Sequence, residues 1–129
     1  MPAPVFACIT PHPPILIPEV GLGQQQVTQE TINAYSHLRE KLAAAAPDTL
    51  IMISPHGPVQ ADHFTILEGT LEGSLQSFRA PEVAFQRESD SDLVRAVLAA
   101  AEQHGLPLQT VAEWNPDDHA TWVPLYYLG

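Results

Sequence analysis

Three histidines stand where imidazole chemistry can be built. His12 lies in Ile9-Thr-Pro-His-Pro-Pro-Ile-Leu-Ile-Pro18, one histidine among four prolines at the end of an apolar run. His56 lies in Ile53-Ser-Pro-His-Gly-Pro58, where the same order returns: an apolar run, a hydroxyl residue, Pro-His, then turn residues. Pro11 and Pro13 fix their own φ, and Pro13 biases His12 away from the α region. Gly57 permits a tight turn or the close approach of a ligand. A metal-binding imidazole gains from such pre-organisation, because its ring must be held near the productive geometry. Two neutral imidazoles suit Fe(II), Zn(II) or another borderline metal. The alternative for each is a simple hydrogen bond to a loop backbone.

The third histidine, His119, follows Asp117 and Asp118. A neighbouring carboxylate can orient an imidazole or raise its basicity. That suits a general acid/base or oxyanion-polarising role; otherwise His119 is an exposed loop residue. His63, after Asp62, either lines the same end of a sheet or merely starts a strand at the surface. His37 falls mid-helix. His104 falls near a helix C-terminus, where the dipole and solvent explain it. A two-histidine Fe(II) site ordinarily adds one carboxylate and leaves positions open for substrate and oxygen. Glu19, Asp62 and Glu68 are the candidates, and none stands out. The prolines and the Ile-Leu-Ile run carry Glu19 away from His12, Asp62 can approach His56, and Glu68 ends the next expected strand. There is no Gly-rich phosphate loop, Cys cluster, His-Glu-x-x-His helix or nucleophile elbow.

These side chains need elements to position them. Val5–Ile9 reads as a near-continuously apolar strand of the parallel-sheet type. Residues 24–46 read as a helix, with Ile32, Tyr35, Leu38 and Leu42 on one face, Lys41 near its end and Pro47 closing it. Thr49–Ser54 reads as a second strand. The resulting βαβ unit should have a right-handed crossover. It would put both Pro-His junctions at the carboxyl ends of parallel strands, where open α/β sheets carry their sites. His63–Glu68 is a third expected strand, and Gly69–Ala80 an irregular stretch or hairpin. A second helix is expected from Asp90 to His104, with Ser89 as N-cap, Asp92 in the first turn, and Leu93, Val97, Leu98 and Ala101 packing inward. Gly105 can take the left-handed closing position, and Pro107 bars continuation. Leu108–Ala112 is a further strand, and residues 117–129 a loop entering a helix or strand. The expected fold is α/β, a mainly parallel or mixed sheet flanked by helices, in one domain spanning 1–129. The sequence stops inside the apolar Val-Pro-Leu-Tyr-Tyr-Leu-Gly, which suggests a truncated three-layer domain.

Composition sets outer limits. A chain of 129 residues suits one core. Five Lys plus Arg against fifteen Asp plus Glu give a net charge of −10, which argues against a nucleic-acid backbone or an anionic membrane as partner. That charge leaves a small neutral or metal-bound substrate open. The single cysteine, Cys8, cannot form an internal disulfide, and a cytoplasmic location is the simplest expectation. Met-Pro-Ala-Pro opens no signal peptide, and no run approaches the ~18 apolar residues of a membrane span. Thirteen prolines, about twice the usual share, punctuate the edges of apolar runs. A sheet stopping mid-fold would leave an apolar edge, which predicts a homo-oligomer or a complementary chain.

Taken together, "TPHPPILIPEVG" at 10–21, "SPHGP" at 54–58, "DHF" at 62–64 and "DDHATWVPLYYL" at 117–128 give the chain a family likeness. It resembles the N-terminal half of the class III extradiol ring-cleavage dioxygenase catalytic-subunit superfamily, of the protocatechuate 4,5-dioxygenase beta-subunit type. "PHPPILIPEVG" is equally similar to a branch that includes Memo-type proteins and proteins accompanying AMMECR1-like and radical-SAM partners. The resemblance implies an α/β fold and Fe(II) held by two histidines and a glutamate. It implies an aromatic diol split beside its hydroxyls with O2. Carried over by motif, His12 and His56 resemble the two ligand histidines. His119 resembles the active-site histidine that contacts substrate or oxygen, with Ala120 where the family usually has glycine. The family's glutamate ligand and its later acid/base histidine belong to the C-terminal half and have no position here. Other expectations remain beside this one: a non-catalytic binding or assembly module of the same fold, or a divalent-metal hydrolase, with Zn(II) as the alternative metal.

Overall fold

Apolar residues at three- and four-residue spacing build the longest helix. A computed structural model describes residues 3–129. In it a 3-10 turn at Pro14–Leu16 leads into the one-turn helix α1, Pro18–Gly21, and a second 3-10 turn at Gln24–Thr28 leads into α2, Gln29–Ala45. Tyr35 is the buried member of the expected stripe, and Ile32, Leu38 and Leu42 are half-buried beside it. Ala46, at φ 44°, closes α2 in the left-handed region, and its N–H donates to the Leu42 carbonyl.

Strands follow. β1, Phe64–Leu67, pairs in parallel with β4, Leu108–Val111, matching Phe64 to Leu108 and Leu67 to Val111. Between them come a hairpin and α3, Ser91–Gln103. The hairpin pairs β2, Thr70–Leu75, with β3, Ala80–Glu88, through a 3-10 turn at Gln76–Phe78. The stretch 69–80 is therefore ordered, with Gly69 at φ 111° supplying a backbone conformation that side chains rarely adopt. The cap of α3 is Asp90, not Ser89. The Asp90 carboxylate accepts from the Leu93 N–H at 2.9 Å, while the Ser89 hydroxyl accepts from the Gly69 N–H at 2.7 Å. Val94 and Ala101 are the buried residues of α3, and Gly105 closes it at φ 65°, as expected. The C-terminal segment is helical: α4 covers His119–Leu128 and runs through Pro124.

The expected strands at Val5–Ile9 and Thr49–Ser54 are corrected by this structure. Neither pairs with another strand among the described residues, so the first βαβ unit is not formed. Most of their apolar side chains face outward, Ile9 at 100% and Ile53 at 95% exposure, while Phe6 is half-buried. A continuous apolar run demands neighbours on both faces, and the core here lies elsewhere. Leu16, Ile17, Tyr35, Leu75, Val83, Trp122 and Val123 form it, under α4 and against the hairpin. The result is a mixed α/β fold with separate parallel and antiparallel sheets flanked by helices.

Aromatic rings fix α4 on the hairpin. Trp122 stacks on Phe85 at 4.9 Å with an interplanar angle of 6°, and Trp114 meets its edge at 4.7 Å. Indole N–H groups then pin the backbone. Trp122 donates to the Pro116 carbonyl at 2.9 Å, and Trp114 to the Glu72 carbonyl at 2.9 Å. β2 passes so close that a Cβ at Gly73 would stand 2.1 Å from the Pro116 oxygen. Glycine is needed there for space. The turn leading to His119 is thereby held by the hairpin.

Candidate metal centre

The two Pro-His loops and the start of α4 converge. Ring centroids of His56 and His119 lie 4.3 Å apart, those of His12 and His56 5.2 Å, and those of His12 and His119 5.5 Å. One nitrogen from each ring falls within 4.8 Å of the others. All three rings are half-buried. Three nitrogens bound to one ion at about 2.1 Å each stand about 3.4 Å apart in tetrahedral geometry, so the imidazoles must turn inward to close on an ion. Three neutral imidazoles are a suitable donor set for a divalent transition metal. The cluster can therefore coordinate one, and it fits the group that such a site would hold.

Each histidine is mounted differently. His12 sits between prolines in an extended loop, and the Tyr35 hydroxyl donates to the carbonyl of Pro11 just before it. His56 has both its peptide groups engaged. Its N–H donates to the Ser54 hydroxyl at 3.1 Å, and its carbonyl accepts from the Asn115 side chain at 3.2 Å. His119 opens α4, where the Asp118 carboxylate caps the helix by accepting from the Ala120 and Thr121 N–H groups. Phe78, on the turn of the hairpin, meets the His119 ring edge-on at 5.1 Å.

Asp118 works differently from the simplest expectation for a neighbouring carboxylate. It is 1% exposed, and its acceptors go to the helix N-terminus, the Thr121 hydroxyl at 3.0 Å and the Ser54 hydroxyl at 2.7 Å. The His119 imidazole is held below its ordinary pKa, first by burial and next by the His56 ring. A hydrogen bond to the Asp117 backbone and the Asp118 charge oppose this. The outcome favours the neutral ring, the form that offers a lone pair.

The other sequence candidates fall outside the cluster. His63 pairs with Asp62 at 2.7 Å, and His37 lies near Glu40 on the exposed side of α2. Glu19 faces the Tyr126 hydroxyl at 3.5 Å. Among the described residues no carboxylate joins the three histidines. Ser54, Asn115, Trp114, Trp122 and Gly73 were not marked as site-building by sequence. Most of their partners lie far along the chain, and only the hydroxyl recurring before each Pro-His was a usable signal.

A mixed α/β chain that gathers three imidazoles from two Pro-His loops and a helix start has the makings of a mononuclear metal site. The chain belongs to the family described as the catalytic LigB subunit of aromatic ring-opening dioxygenase, whose model matches residues 6–129. Protein CA_C1420 of Clostridium acetobutylicum is 30% identical over 129 aligned residues, covering 93% of this chain and 28% of that protein. The chain thus spans little more than a quarter of the length of that curated relative. No solved structure matches it. Among the described residues no helix is long and apolar enough to cross a membrane.

Proposed function

We propose that the chain carries the histidine part of an Fe(II) site for extradiol cleavage of a catecholic aromatic with O2. The observation that carries this reading is the convergence of His12, His56 and His119, with nitrogens within 4.8 Å, in a chain of this family. His12 and His56 would hold the metal, as two imidazoles suit Fe(II). When bound, the iron would supply redox coupling between diol and oxygen. His119 would face the reacting groups. As a neutral imidazole it can accept a proton from a diol hydroxyl or donate a hydrogen bond through its other nitrogen. Phe78, edge-on to His119, would wall that side against water.

A second reading rests on a specific observation. No carboxylate joins the cluster among the described residues, and His119 lies nearer His56 than His12 does. All three histidines would then ligate a divalent ion such as Zn(II), with a metal-bound water as the reactive group. The domain would span residues 1–129, with a second copy or a complementary chain as its expected partner.

Both readings meet one experiment. Protein prepared without oxygen is loaded with Fe(II) or Zn(II), and bound metal is measured for wild type and His119→Ala. The dioxygenase reading expects His119→Ala to retain iron while losing catechol-dependent O2 uptake. The three-histidine reading expects the substitution to release the metal. Metal-free wild type after loading would overturn both.

A further inference from the structure

We infer that Asp118 and Ser54 form a positioning pair that sets the separation of His56 from His119. Asp118 is buried and immediately precedes His119; Ser54 lies two residues before His56. The Ser54 hydroxyl has two roles at once. It donates to Asp118 Oδ1 at 2.7 Å and accepts from the His56 N–H at 3.1 Å. The same Asp118 oxygen accepts from the Ala120 and Thr121 N–H groups at 3.0 and 3.2 Å. A continuous chain of hydrogen bonds therefore runs from the backbone of His56, through one hydroxyl and one carboxylate, to the first turn of α4.

A second strand of the brace closes the loop. Asn115 donates to the His56 carbonyl at 3.2 Å, and its side-chain oxygen accepts from the Asp117 N–H at 3.0 Å. Both peptide groups of His56 are thus tied to the turn at 115–118. Hydrogen bonds to an ionised carboxylate are the stronger kind, and a buried network with every member satisfied fixes one geometry. No buried side-chain polar atom lacks a partner among the described residues. This explains the role of Asp118: it acts on the segment bearing the other histidine, across 64 residues of sequence. Its functional consequence rests on the metal-site reading above, while its geometry does not.

The test separates the two. Substituting Ser54→Ala removes the bridge and leaves the helix cap, whereas Ser54→Thr keeps the hydroxyl. In metal-free protein, the cross-relaxation peak between the ring protons of His56 and His119 should be present in wild type and Ser54→Thr, and lost in Ser54→Ala. Titration with Co(II), followed by its ligand-field absorption, should show a roughly 10- to 100-fold weaker affinity and a changed band shape for Ser54→Ala. Ser54→Thr should restore both. Asn115→Ala, which removes the donor to the His56 carbonyl together with the acceptor of the Asp117 N–H, serves if Ser54→Ala does not fold, and should weaken the same peak. A ring-to-ring peak that persists in Ser54→Ala overturns the positioning role. Absence of Co(II) binding by wild type would instead overturn the metal-site reading, with the ring-to-ring peak still deciding the brace.

Discussion

His12 and the His56–His119 pair reach the same centre on different mounts. The His12 loop is stiff by covalent means, with prolines on both sides and the Tyr35 phenol bonded to the Pro11 carbonyl. The pair is held by a satisfied hydrogen-bond network around a buried carboxylate. Proline stiffness narrows the choices open to the unfolded chain and needs few partners. A polar network defines a distance between segments far apart in sequence, and it is vulnerable at each member. The pair should therefore be easy to break by single substitutions and the His12 loop hard to break.

The largest effect should come from the support behind the pair. Gly73→Ala would push a methyl group against the Pro116 carbonyl, leaving only 2.1 Å between the new carbon and that oxygen. Overpacking of this kind costs about 3 kcal/mol, read as a fall in the urea-unfolding midpoint. Gly57, beside His56, has nothing within 4 Å of such a methyl. Gly57→Ala should stay within about 0.5 kcal/mol of wild type. Equal losses at the two glycines would contradict the role given to the close approach of Gly73 to Pro116.

Next comes Asp118→Ala, which uncaps α4 and strands the hydroxyls of Ser54 and Thr121. A loss of about 2 kcal/mol is expected from cap and buried bonds together, measured by denaturant unfolding. On the other mount, Tyr35→Phe deletes the phenol's bond to the Pro11 carbonyl and its interaction with the Thr10 side chain. It should cost about 1 kcal/mol and leave the His56–His119 ring contact unchanged by NMR.

How much of this was legible follows the same division. The repeated Ser/Thr-Pro-His phrase is local, so His12 and His56 could be marked as a pair from sequence. The helix faces through Tyr35 and Ala101 were legible because periodicity is local too. The link from Ser54 to Asp118 was not, since nothing at either position specifies a partner 64 residues away. The runs Val5–Ile9 and Thr49–Ser54 misled because an apolar run states a need for cover without naming what covers it. Ile9 and Ile53 lie exposed among the described residues. The hairpin was legible only in outline, since its close approach at Gly73 depends on Pro116 and Trp122.

A further effect is alkaline. Burial pushes the Tyr127 hydroxyl from 10.0 up to about 12, helped by Tyr126 and Tyr35. The folded state thus retains a proton that the unfolded chain gives up. The resulting stabilisation is complete below pH 10.0 and is lost as pH rises through about 12. Tyr127 donates to the Leu16 carbonyl and stacks on Tyr35 at 4.8 Å, which places this loss on the His12 side. A thermal-unfolding series over that range should decline for wild type and less steeply for Tyr127→Phe, since Tyr35 and Tyr126 are also pushed up by burial.

The central claim is that His12 and His56 together hold a metal ion. Equilibrium dialysis of oxygen-free protein against Fe(II), followed by metal analysis, tests it most directly. About one ion per chain should be retained by wild type, and none by the His12→Ala/His56→Ala double variant. Iron retained equally by both proteins, or by neither, would contradict it.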